Sequence, residues 1–154
     1  MILIYYCMYC CLLVLLLFTY LDEAARRRFV KRLYIPLPDD VARCKIVLTN
    51  LQRSGENYHL SDSEISTISA MTDGYSGADM FNLCREAAMM PLREMMIQQR
   101  QKGTVGFTKN DVRPLCFNDF KDALNQVRAS VSSKDLQQLM DWNSLYGSFG
   151  APQK

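Results

Sequence analysis

A mainly α-helical body with one short strand at its entrance is what this sequence predicts, on three observations. From Asp39 onward, apolar residues recur at three- and four-residue steps in successive segments, as they do in helices buried along one face. Serine or asparagine starters stand ahead of most of those segments, several with an acidic residue three positions on. The strand character is confined to Arg32–Pro38, RLYIPLP, where Pro36 and Pro38 bar it from a central position in a sheet.

The elements follow in order. Met1 to Leu21 is apolar or aromatic at every position but Thr19 and carries no charge. As a helix it would span about 31 Å, enough to cross a bilayer core. The cluster Arg26, Arg27, Arg28, Lys31 and Arg32 would then hold the body on the cytoplasmic side. A cleavable signal fits less well, since no charged residue precedes the run and no small-x-small site follows it. The strand at 32–38 has no partner in sight, and an unpaired buried strand would leave backbone groups unsatisfied. Its partners are therefore expected in a larger structure.

Between Asp39 and Arg53, the residues Val41, Cys44, Val47, Leu48 and Leu51 form one helical face, ended by Ser54-Gly55. Ser61 and Glu64 make a capping-box pair for a short helix striped by Ile65, Ile68 and Met71, and Asp73-Gly74 turns the chain. A third helix opens at Ser76 with Asp79 in the reciprocal capping position, and carries Met80, Cys84, Ala87, Ala88, Leu92 and Met95. Pro91 inside it should kink or interrupt it. Gln98 to Thr108 is polar with two glycines and reads as a loop. Asn118 caps a fourth helix bearing Phe120, Leu124 and Val127, and Ser132 or Ser133 a fifth bearing Leu136, Leu139 and Trp142. Ser148 to Lys154 should fray.

Composition removes several function classes. Eighteen basic against 16 acidic residues leave a net charge of +2, too balanced for a polyanion-tracking face, and Asp22, Glu23, Asp39 and Asp40 bracket the arginine cluster, so nucleic acid is not expected as a partner. Cys7, Cys10 and Cys11 lie in the leader, where palmitoylation or plain apolar packing suits them better than metal binding. Cys44, Cys84 and Cys116 read as buried free thiols in a reducing compartment. No metal site is expected. No glycine precedes a lysine, so the phosphate-cradling G-x-x-x-x-G-K-[ST] loop is absent, and His59, the one histidine, lies in a polar turn. The arginines carry the chemistry that charge alone does not explain. A planar, permanently charged guanidinium suits negative charge on a transferring phosphoryl group, although a solvated basic patch would look the same by composition.

Three segments add a resemblance. DEAARRRFVKRLYIPLP (22–38), TDGYSGADMFNLCREAAMMPLRE (72–94) and DLQQLMDWNSLYGSFG (135–150) resemble the C-terminal part of the meiotic-clade AAA ATPases, the katanin, spastin and fidgetin group, most of all its fidgetin-like members. The likeness covers essentially all of residues 22–154.

The resemblance implies a fold and a role. The fold is the helical lid of an AAA+ ATPase with a remnant strand of the large α/β domain. Residues 22–38 are then that remnant, 39–129 the lid, and 130–154 the assembly helix and tail. Arg27 and Arg28, with Arg26 less securely, would be the arginine fingers that reach a neighbouring subunit's nucleotide site. Gly77 and Ala78 would contact the nucleotide in cis, Gly77 by allowing close backbone approach. Trp142 and Tyr146 would belong to the helix that supports hexamer assembly. ATP is the implied cofactor, with Mg²⁺ held by residues upstream of this chain. The partners would be homo-hexamer subunits and a protein substrate such as tubulin, in cytoplasm or nucleus. The Walker motifs and pore loops are absent, so the chain alone should not hydrolyse ATP. The leader at 1–21 then reads as non-coding read-through at the edge of a truncated gene. The competing reading keeps it as a real anchor of a non-catalytic membrane module that regulates AAA hexamers.

Overall fold

The computed structural model describes residues 33–55, 57–102 and 112–148. Residues 35–137 form one compact unit, whereas Leu33 and Tyr34 belong with residues 138–148 to a second. The expectations for the leader and for Arg26–Arg28 lie outside the described residues. Among the described residues no helix is long and apolar enough to cross a membrane.

The mainly α-helical fold stands. The first helix, α1 (Asp40–Ser54), starts where Asp39 Oδ1 accepts the Ala42 N–H at 2.8 Å and stops at Gly55, whose φ of 61° is a left-handed cap. The helix α2 (Asp62–Met71) begins with the full Ser61–Glu64 capping box. Next, α3 (Gly77–Lys102) is the long central helix, and α4 (Phe117–Leu124) packs against it. The last, α5 (Ser133–Tyr146), opens in the first unit, and its residues from Gln138 onward belong to the second.

The core of the first unit is Val47 and Leu51 of α1, Ile68 of α2, Met80, Leu83, Cys84 and Ala87 of α3, Leu115, and Phe120 and Ala123 of α4, with Tyr75 closing one edge. All but Leu115 and Tyr75 come from four helices, at three- and four-residue steps where a helix gives more than one, and their burial supplies the dominant favourable term for this unit.

Residues 33–38 pair with no strand among the described residues, and Ile35 is 85% exposed. Five expectations are corrected. A strand pair occurs elsewhere instead: β1 (Tyr58–His59) runs parallel to β2 (Leu115–Cys116), with Tyr58 opposite Leu115. Two-residue strands are too short for an alternating pattern to reveal them, and His59 is exposed there rather than in a turn. Pro91 does not end α3; it lies buried within it, and the loop expected from Gln98 begins only after Lys102. The fourth helix is capped at Cys116, whose N–H donates to Asp119 Oδ2 at 2.8 Å, two residues before Asn118.

The fifth correction concerns α1. Val41 is 76% exposed, and the buried position beside it belongs to Arg43. Its Nη1 donates to Pro38 O at 2.8 Å and its Nε to Ser69 O at 3.2 Å, while Asp40 and Asp73 face the guanidinium. Ser69 Oγ donates to Asp40 O at 2.8 Å, so α2 is bonded twice to the start of α1.

Candidate functional site

The start of α3 is built before it is exposed. Gly74, at φ 77°, turns the chain after α2. The buried Thr72 hydroxyl lies 2.9 Å from Ile68 O and 3.0 Å from Ser69 O. Tyr75 is buried and its hydroxyl donates to Val127 O at 2.6 Å; burial pushes its pKa up, so it stays a donor at neutral pH. The Ser76–Asp79 pair then closes a capping arrangement, Ser76 N donating to Asp79 Oδ2 at 2.9 Å and Asp79 N to Ser76 Oγ at 3.2 Å. Ser130 joins it from the far side, donating to the same Oδ2 through its N–H at 3.2 Å and its hydroxyl at 3.1 Å. Burial alone would raise the Asp79 pKa, but the hydrogen bonds from Ser76 and Ser130 outweigh it and hold the carboxylate below its usual range.

Gly77 and Ala78 therefore sit on a fixed first turn with their own surfaces exposed. Gly77 forms one end of an open groove of about 500 Å³ between α1 and α3. Its floor is apolar, from Ala42 and Ile46 of α1 and Phe81 of α3, and Asn50 and Thr49 add amide and hydroxyl groups. Lys45 and Arg53 stand at its margins, four positions either side of Thr49. A Cβ at Gly77 would meet nothing within 4 Å, so this glycine is needed neither for internal packing nor for a special φ. Cys84 is buried in the core, and burial pushes its pKa up to about 11, which leaves it an unreactive thiol. Cys44 and Cys116 are also free and half-buried.

Of the site residues expected from sequence, Gly77 lines this groove, Ala78 is next to it on the same exposed turn, and Arg27 and Arg28 lie outside the described residues. Trp142 and Tyr146 are one turn apart on α5 with ring centroids 5.8 Å apart. Ile46, Asn50 and Phe81 were not singled out. The available signal is the second stripe of α1, Ala42–Ile46–Asn50 at four-residue steps, which is half-buried and flanks the core residues Val47 and Leu51, with Ile46 packed against the core's edge. No group of three or more potential metal ligands occurs among the described residues.

Comparison with known proteins gives consistent matches. Residues 62–103 match the AAA+ lid domain, and residues 107–147 the Vps4 C terminal oligomerisation domain. The chain is 48% identical over 128 residues to the ATPase family AAA domain-containing protein FIGL1 of Arabidopsis thaliana, covering 83% of this chain and 18% of that protein. It is 46% identical over 127 residues to Fidgetin-like protein 1 of Homo sapiens, covering 82% of this chain and again 18% of the relative. Spastin of Naegleria gruberi is 40% identical over 131 residues, of which this chain spans 24%. Among solved structures, the FIGL-1 AAA domain in complex with ADP superposes with a TM-score of 0.73 at 40% identity, covering 84% of this chain and 42% of that one. A katanin structure described for its self-assembly gives 0.63 at 33% identity, over 79% and 42%.

Proposed function

Because the chain belongs to the fidgetin, spastin and katanin group of AAA ATPases, we propose that it serves as the nucleotide lid and assembly segment of a hexameric, ATP-driven protein-remodelling machine of the microtubule-severing type. In this reading residues 22–38 border the large domain, 39–129 are the lid and 130–154 the assembly segment. The machine acts on a protein substrate such as tubulin in the cytoplasm or nucleus.

The observation that carries the reading is the groove that Gly77 lines together with α1. Its size and apolar floor fit a purine base with its ribose, as concave sites with few polar groups commonly do. The FIGL-1 AAA domain that was solved with ADP superposes on 84% of this chain, which supports the reading. Ile46 and Phe81 would exclude water from the base, and the Asn50 amide would meet its polar edge. Gly77 and Ala78 would present backbone to the ribose. The residues fit this half of the ligand and not its phosphates, for which the sequence contains no cradling loop. ATP, when bound, supplies the phosphoryl group whose transfer drives the machine; Mg²⁺ and the phosphates fall to residues outside this chain. Arg27 and Arg28 would stabilise charge on the phosphoryl group held by the neighbouring subunit.

The test grafts residues 22–154 of this chain in place of the matching segment of human Fidgetin-like protein 1. The graft is expected to hydrolyse ATP in the presence of Mg²⁺. Arg27→Ala and Arg28→Ala should each cut kcat by about 10³-fold or more with ADP binding intact. Gly77→Val should weaken ADP binding while the lid keeps its helical content. A graft whose finger variants turn over at the parent rate would remove the trans-finger assignment. One in which Gly77→Val leaves ADP binding unchanged would remove the groove.

A further inference from the structure

Ser130 is placed unlike the other serines of the first unit. It lies on the irregular connection between α4 and α5 and is itself exposed. Yet its hydroxyl and N–H both end on Oδ2 of Asp79, 51 positions earlier in sequence, and Asp79 is only 4% exposed. That carboxylate also receives the Ser76 N–H and hydroxyl, and so fixes the first turn of α3. An accessible hydroxyl is thus bonded to a buried anion that organises a different element. Two residues before it stands Arg128, exposed on the same connection.

We propose that Ser130 is a phosphorylation site for an arginine-directed serine kinase, and that a phosphate there releases the first turn of α3. In the modification the Ser130 Oγ attacks the γ-phosphorus of the kinase's ATP. The new Oγ–P bond forms as the bond to the β,γ-bridging oxygen breaks, ADP leaves, and the hydroxyl proton passes to the kinase's base. Arg128 supplies the cation that an acidic kinase groove selects.

The consequence follows from charge. The serine loses the O–H that bonds Asp79 and gains about −1.5 to −2 charge at neutral pH. The nearest fixed charge is the Asp79 carboxylate, which its hydrogen bonds hold in the ionised form. The α3 N-terminus opposes this with a partial charge of about +0.5, roughly half the magnitude of the carboxylate's and already engaged by it. Arg128, two residues away, is exposed and screened by water, so a phosphate pairing with it gains little and repulsion from the buried carboxylate wins. Asp79 is buried and cannot swing into water, so the connection 125–132 must leave α3 and the Ser76–Asp79 arrangement loosens. The modification site rests on this geometry alone; an effect on nucleotide binding rests additionally on the proposed function, since Gly77 and Ala78 occupy that turn.

Two arms test it on the full chain. Incubation with protein kinase C or cyclic-AMP-dependent protein kinase and Mg-ATP should place phosphate on Ser130 by tandem mass spectrometry, and none in Ser130→Ala. Modification of a peptide spanning 124–136 but not of the folded chain, or of neither, would overturn the site. In the second arm, phosphoserine installed at position 130 by codon suppression should lower the melting temperature by about 4–8 °C. It should shift the Gly77 and Ala78 amide resonances, and the melting change should fall to less than half in an Asp79→Asn background. Equal shifts in both backgrounds, or a rise in melting temperature, would overturn the charge mechanism. A destabilised phosphoserine chain that binds and hydrolyses ATP normally in the graft would overturn the nucleotide effect and leave the modification site standing.

Discussion

Arg43 carries more structure than its position in the sequence suggests. It occupies an inward position of α1 between apolar neighbours, and its guanidinium serves three separate segments: the approach at Pro38, the last turn of α2 at Ser69, and the carboxylates of Asp40 and Asp73. The carboxylates are 76% and 93% exposed, so water screens them and the ion pairs add little. The two carbonyls matter more: without Arg43, Pro38 O loses that charged donor and Ser69 O keeps only the Thr72 N–H and hydroxyl, while the space the guanidinium fills is nearly dry. Arg43→Met should therefore destabilise the chain by about 2–3 kcal/mol, read as a lower urea midpoint with an unchanged slope. Arg43→Lys should recover less than half of that, since one ammonium cannot span both carbonyls as a planar fork does. Equal stability of Arg43→Lys and the parent would show that charge, not the fork, is what the site uses.

At the scale of elements, two buried carboxylates hold helix starts, and both make the fold sensitive to acid. Asp119 is 2% exposed at the start of α4 and is gripped by Arg113 Nη1 at 2.8 Å and Nη2 at 2.7 Å, with Arg113 also meeting Glu94 of α3. Burial would raise its pKa, but Arg113 and the Cys116 N–H outweigh burial and hold it low, as Ser76 and Ser130 do for Asp79. Folded pKa values below the unfolded value of about 3.9 mean that the unfolded chain binds more protons in that range. The stabilisation is complete above about pH 4 and is lost as pH falls through the folded values. Glu64 and Asp135, held low by Ser61 and Ser132, act in the same direction from exposed positions. Denaturant midpoints measured from pH 7 to pH 2 should fall steeply below pH 4. Asp79→Asn/Asp119→Asn should be weaker at pH 7 and flatter with pH, and a double variant with the parent's slope would show that the acid transition lies elsewhere. These same elements show what the sequence made legible. The boxes Ser61–Glu64 and Ser76–Asp79 are local, four residues long, and could be read directly, whereas for the last helix the sequence leaves Ser132 and Ser133 as alternatives and the structure shows Ser132 bonded to Asp135. Cys116 was passed over as a cap because its carboxylate partner acts on the backbone N–H, with no help from a side-chain oxygen at position 116. The β1–β2 pair and Pro91 within α3 depend on neighbours remote in sequence, which no window of residues contains.

At the scale of the molecule, Gly77 could be proposed from its motif, but the rest of the groove could not. Ile46 and Asn50 face it only because α1 packs across the start of α3, and a helix with two half-apolar stripes does not say which of them meets the core. The groove is open and the sequence contains no phosphate-binding loop, so under the proposed function it would be part of a nucleotide site whose other walls come from elsewhere. An incomplete site of this kind makes a sharp statement about the isolated chain. Positioning and charge neutralisation supply nearly all of the catalysis in phosphoryl transfer, and neither is available without a cradle for the β- and γ-phosphates and Mg²⁺. The purified full chain, mixed with Mg-ATP, should release phosphate no faster than a mock preparation, at any chain concentration, because self-association adds copies of the same half-site. Mixing it with a Fidgetin-like protein 1 whose own finger arginines are replaced by alanine should instead restore turnover, provided Arg27 and Arg28 enter the neighbouring site in trans. Phosphate release by the chain alone, rising with its concentration and abolished by chelating Mg²⁺, would mean that residues not recognised as a phosphate cradle form one, and the division of the site between this chain and another would be wrong.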